Sequence, residues 1–113
     1  MGVFNGMFPI LPGKEDAARA WIAEASGPRR DGWDEMQRKS ELTRETLALQ
    51  ETPMGSFLLI WFEGNIEQAF ATVATEQDEF TAWHRDKFRE VTGIDLSNPP
   101  EGPGPELLLD WSA

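Results

Sequence analysis

Phe57-Leu-Leu-Ile-Trp-Phe62 is an apolar run with no polar break, and it limits what the chain can fold into. It lies in the stretch Leu47–Gly64, where Thr52-Pro-Met-Gly55 supplies a tight turn between two strand-like segments. A strand with one wet face alternates apolar and polar residues. Here Leu58, Ile60 and Phe62 point one way while Phe57, Leu59 and Trp61 point the other, so both faces of this strand need cover.

The remaining chain supplies cover for one face. Val3–Leu11 reads as a first strand, which Pro9 ends or bulges because it cannot donate to a ladder. Pro12-Gly13 breaks it, and Lys14-Glu15-Asp16 opens a helix whose Ala17, Ala18, Trp21, Ile22 and Ala25 form one stripe. A second helical piece is expected from Asp31 to about Leu42, handing over to a strand near Thr46. After the hairpin, Ile66, Ala69, Phe70, Val73 and Ala74 fall at helical spacing. Thr75–Asp78 resembles a capping box for a further helix with Phe80, Trp83, His84, Phe88 and Val91 inward, ended by Gly93. Four prolines between Asp95 and Pro105 predict an extended loop, and Glu106–Trp111 a last strand. The order β-α-(α)-β-β-α-α-β is that of a ferredoxin-like α+β domain spanning residues 1–113, with spatial strand order 4-1-3-2 and helices on one face. An apolar second face implies a second copy packed sheet to sheet, the alternative being the proline loop or a terminus folded across it.

Composition narrows the function classes. Ten basic residues against twenty acidic ones give a net charge of −10, which repels nucleic acid and anionic lipid. No cysteine means no disulfide, thiolate metal site or thiol chemistry. The longest apolar run is far short of a membrane span, and Met-Gly-Val-Phe-Asn-Gly lacks the pattern of a leader, so a cytoplasmic protein is expected.

Three segments carry a resemblance: Ile10-Leu-Pro-Gly-Lys14, Leu49-Gln-Glu-Thr-Pro53 and Pro105-Glu-Leu-Leu-Leu-Asp-Trp111. With them the chain resembles the dimeric α+β barrel proteins, most of all small bacterial members of unassigned function. That superfamily also holds cofactor-free and haem-degrading monooxygenases and lactone isomerases, so the resemblance implies a fold and a homodimer rather than one activity. The haem-degrading branch has an Asn on the first strand, a Trp on the third and a His on a late helix, which here implies Asn5, Trp61 and His84 as a catalytic set. A ligand between sheet and helices would find Trp61, Trp83 and Gln50 as contacts.

Each of these residues also has a plainer role. His84, the only histidine, lies on or beside a buried stripe, where it would hold a backbone carbonyl. The residues one turn away from it are Phe80, Thr81, Lys87 and Phe88, so its own helix offers no second metal ligand and no metal or other cofactor is expected. The acidic pairs Glu15-Asp16, Asp34-Glu35 and Asp78-Glu79 sit at expected helix starts, where they offset the helix dipole. Three functional expectations remain: a barrel binding a small apolar or aromatic molecule, a small monooxygenase or isomerase, and a non-catalytic interaction module.

Overall fold

A computed structural model describes all of residues 1–113. Its elements are β1 (Gly2–Pro9), α1 (Glu15–Ser26), α2 (Arg30–Lys39), β2 (Leu42–Thr52), β3 (Gly55–Gly64), α3 (Ile66–Thr75) and α4 (Glu79–Thr92). The strands make one antiparallel sheet in the order β1-β3-β2, so the unalternating strand is central as its apolar character demands. β1 ends at Pro9, and the Ile10 N–H then donates to the Ser56 carbonyl.

Every helix packs on one face of the sheet. The main core joins Leu58, Ile60 and Phe62 of β3 to Ala18 and Trp21 of α1, Ala69 of α3, and Phe88 and Val91 of α4. Phe4 of β1 stacks on Phe62 and meets Phe70 edge to face. A second cluster of Ala25, Met36 and Phe80, flanked by Trp33 and Trp83, lies between α1, α2 and α4.

The helix ends have local causes. The Asn65 side chain accepts from the Gln68 N–H at the start of α3, and Asp78 accepts from the Thr81 N–H at the start of α4. The cap of α4 is therefore Asp78, and Thr75 belongs to the last turn of α3. Arg85 donates to the carbonyls of Val73 and Glu76 beyond that turn, a cation at the negative end of a helix. Gly93 closes α4 in the left-handed conformation, its N–H donating to the Arg89 carbonyl, and Ile94 packs against the main core.

Two boundaries differ from those the sequence predicts. α2 stops at Lys39 rather than near Leu42, and β2 is already paired at Leu42. The chain reverses at Glu41, the only non-glycine residue with a positive φ, 57°. The predicted last strand, Glu106–Trp111, forms no ladder, and the sheet has three strands rather than four. Within one copy this segment has no partner for its backbone donors and acceptors. Leu108, Leu109 and Trp111 are instead largely exposed.

The opposite face of the sheet has no helix over it. Register aligns Asn5, Trp61 and Thr46 across the three strands, then Met7, Leu59 and Ala48, then Pro9, Phe57 and Gln50. Met7 is 67% and Trp61 38% exposed, which makes this an open apolar patch. Pro105, in the loop after α4, reaches the hollow lined by Asn5, Met7, Thr46, Leu59 and Trp61, but the tail beyond it does not cover the face. No helix is long and apolar enough to cross a membrane.

Candidate functional site

A recess of about 70 Å³ opens between the sheet and the helices. Its floor is the inner face of the sheet, with Phe4 and Phe8 from β1, Ile60 and Phe62 from β3, and Glu45 and Leu47 from β2. Trp21, Met36, His84 and Phe88 close its deep end, while Phe70, Val73, Leu42 and Leu96 lie at its more open side. Its apolar lining with a few polar groups is of the kind found in small-molecule sites, while its volume lies well below the ~300–1,000 Å³ of pockets for drug-sized ligands.

Two titratable groups face this space, and burial moves them in opposite directions. Glu45 enters from β2 on the parity of Leu47 and Leu49, and its Oε1 accepts from Gln37 Nε2 of α2 at 2.6 Å. Burial raises its pKa to about 7, and the hydrogen bond from Gln37 offsets only part of that. His84 is 7% exposed, and burial, with a smaller contribution from the neighbouring Arg85 charge, lowers its pKa to about 4. At neutral pH the imidazole is uncharged.

His84 also joins the two cores. Its ring lies 5.3 Å from that of Trp21, 5.4 Å from Trp33 edge-on, and 6.2 Å from Phe80 in a stack. Packing of this kind would explain a buried histidine completely if its nitrogens were satisfied. They are not: His84 Nδ1 and the nearby Trp21 Nε1 are both buried with no hydrogen-bond partner, and they are the only such side-chain atoms. The expectation that His84 holds a backbone carbonyl fails at Nδ1.

The structure does not bring Asn5, Trp61 and His84 together. Asn5 and Trp61 are cross-strand neighbours on the open face, where Trp61 Nε1 donates to Glu63 Oε2 at 2.9 Å, whereas His84 lies on the helical side of the sheet. Gln50 is also on the open face, donating to the Glu51 carbonyl. Trp83 packs on Phe80 outside the recess, with the Arg29 guanidinium 4.4 Å from its ring centre. The ligand contacts expected from sequence, Trp61, Trp83 and Gln50, therefore surround no common space. Arg29 is held by Glu24 and Glu79, and Arg85 by its two carbonyls, so neither is free to meet an anionic ligand in the recess.

Besides His84 and Trp21, the recess is lined by the polar side chains of Glu45, Gln37 and Ser40, which sequence reasoning did not single out as site residues. A signal for Glu45 existed in its inward parity with Leu47 and Leu49, once the strand is extended back to Leu42. No group of three or more His, Asp or Glu side chains is placed to hold a metal ion. Comparison with protein-family models, curated proteins and solved structures gives no significant match to this chain.

Proposed function

We propose that this chain is a homodimeric α+β barrel that binds a small, mostly apolar or aromatic molecule in the recess between its sheet and helices. The observation that carries the binding reading is the recess itself, an apolar chamber with Glu45, Gln37 and His84 among its lining residues.

The dimer rests on the opposite face. Three strands at ~4.8 Å spacing and eight paired residues at ~3.3 Å span roughly 400 Å² of plane, about half of the ~800 Å² per partner that stable interfaces bury. The exposed Leu107, Leu108, Leu109 and Trp111 are positioned in sequence to supply the rest. In a dimer, Glu106–Trp111 gains access to a second sheet, which is the partner it lacks in one copy. On the sheet itself charge does not oppose this contact, because the open face carries only the Arg44–Glu63 pair, at one end.

Trp61→Lys tests this directly. The lysine places a charge in the centre of the proposed interface without touching the helical core. Sedimentation velocity at micromolar concentration should show the wild type at twice the chain mass and the variant at the chain mass, with the helical circular dichroism retained. A wild type that sediments as a stable monomer would sink the dimer.

A further inference from the structure

We infer that the recess takes a small organic ammonium, its charge on the Glu45 carboxylate and its carbons against the phenylalanine rings beside that residue. The inference rests on the recess being a ligand site, and it adds the charge and chemical class of what enters.

Register places the two kinds of group together. Glu45 of β2 pairs with Phe62 of β3, which pairs in turn with Phe4 of β1, so the three form one row across the inner face of the sheet. Opposite side chains in such a row stand about 5 Å apart at Cβ. Phe4 stacks on Phe62 with ring centres 4.8 Å apart, and Phe70 of α3 meets both edge to face, at 5.0 and 5.6 Å. All four residues line the recess. A carboxylate next to a group of aromatic rings suits an organic ammonium, because ring faces attract a cation and the carboxylate neutralises it.

Glu45 also lacks the partner that a largely buried acid needs. Its Oε1 accepts from Gln37, but Oε2 has no hydrogen-bond partner, and no neighbouring charge offsets the burial of the carboxyl. Nor is Oε2 sealed off. The fully buried side-chain atoms without partners are Trp21 Nε1 and His84 Nδ1 alone, so this oxygen keeps contact with solvent. No lysine or arginine lines the recess, and His84, its other titratable lining residue, is uncharged at neutral pH. The net charge of −10 adds a field that draws cations in and repels anions. A calcium or magnesium ion wants six or more oxygens, and no group of three or more His, Asp or Glu side chains is present to begin such a shell. The volume of about 70 Å³ admits an ammonium and its first carbons, with the rest of the molecule extending past Phe70 toward the open side.

Benzylamine and benzyl alcohol differ by ammonium against hydroxyl at nearly constant shape, benzoate reverses the charge, and phenol reports whether a neutral ring enters at all. Titration calorimetry near pH 8, above the Glu45 value of about 7, should show benzylamine binding about tenfold more tightly than benzyl alcohol, and no binding of benzoate. Glu45→Gln keeps the volume and removes the charge, so it should erase that preference and leave benzyl alcohol within about twofold. The wild type supplies the same comparison without a substitution. Near pH 5.5 Glu45 carries its proton while ordinary surface carboxylates stay ionised and His84 stays neutral, so the preference should fall to about twofold or less. A tenfold preference that survives both changes would overturn the inference, since the acidic surface would then hold the cation. Benzyl alcohol binding as tightly as benzylamine at pH 8 would overturn it and leave the apolar site standing, and tighter binding of benzoate would overturn the cationic class. Failure of every probe to bind, phenol included, would remove the site as well.

Discussion

Replacing Glu45 by glutamine should raise stability by roughly 3 kcal/mol near pH 8 and leave it almost unchanged near pH 4.5. The carboxyl is pushed from an ordinary value of 4.5 to about 7 by burial beside the recess. Its contribution is therefore fully present below about pH 4.5, where both folded and unfolded chains carry the proton. It is lost as pH rises toward 7, because the unfolded chain ionises freely while the folded one must bury a charge. Glutamine cannot ionise and fills the same volume, so the loss disappears. His84 has the opposite sign: its pKa falls from 6.5 to about 4, so its contribution is present above 6.5 and lost as pH drops through 4. Between about pH 4.5 and 6.5 the two slopes oppose one another, and the wild type should show a nearly flat stability. Urea unfolding across that range should reveal an acid-sensitive Glu45→Gln and a base-sensitive His84→Phe. Parallel profiles for all three proteins would show that neither group faces a buried space.

Gly64→Ala should cost about 3 kcal/mol or more, among the largest losses available from one methyl group. Gly64 is the point where all three strands meet, paired with Gly2 on one side and Leu42 on the other. Its φ is 141°, a conformation that side chains rarely adopt. A Cβ there would lie 2.4 Å from the Glu41 carbonyl oxygen and 2.8 Å from Leu42 Cα, both backbone atoms that cannot swing aside. Gly55 is the useful control: its φ of 123° is similar, but a Cβ would meet nothing within 4 Å. Gly55→Ala should thus lose only the conformational part, about 1 kcal/mol. Equal midpoints in urea for the two variants would mean that the contact with the Glu41–Leu42 reversal is not made.

That reversal also marks where the sequence was hardest to read. α3 and α4 were legible because their apolar stripes recur at helical spacing and Gly93 stops the second of them. β3 was legible because nothing but a central strand suits Phe57–Phe62. α2 ends instead on Arg38-Lys39-Ser40-Glu41, with no glycine or proline, and a glutamate takes the left-handed position. The helix consequently read too long and β2 too short, and Glu45 fell in the gap between them. The two sheet faces are both apolar in sequence, so nothing in Trp61 itself says that it faces away from the helices while Ile60 faces them. His84 was legible as an inward residue, yet the burial of its Nδ1 comes from packing with Trp21, Trp33 and Phe80, of which the first two lie on other helices. Glu106–Trp111 has the composition of a strand, but a strand also needs an edge, and composition does not show one.

Five tryptophans distribute over these environments and make the indole N–H region of a nitrogen–proton correlation spectrum the most direct test. Trp21 lines the recess, Trp33 and Trp83 flank the second cluster, Trp61 lies on the open face and Trp111 in the tail. With phenol added, the Trp21 resonance should shift and that of Trp61 should stay. On dilution through the dissociation range, Trp61 and Trp111 should shift and Trp21 should stay. A phenol response at Trp61 with none at Trp21, or a dilution response at Trp21 alone, would contradict the proposed division of the sheet into a ligand face and a dimer face.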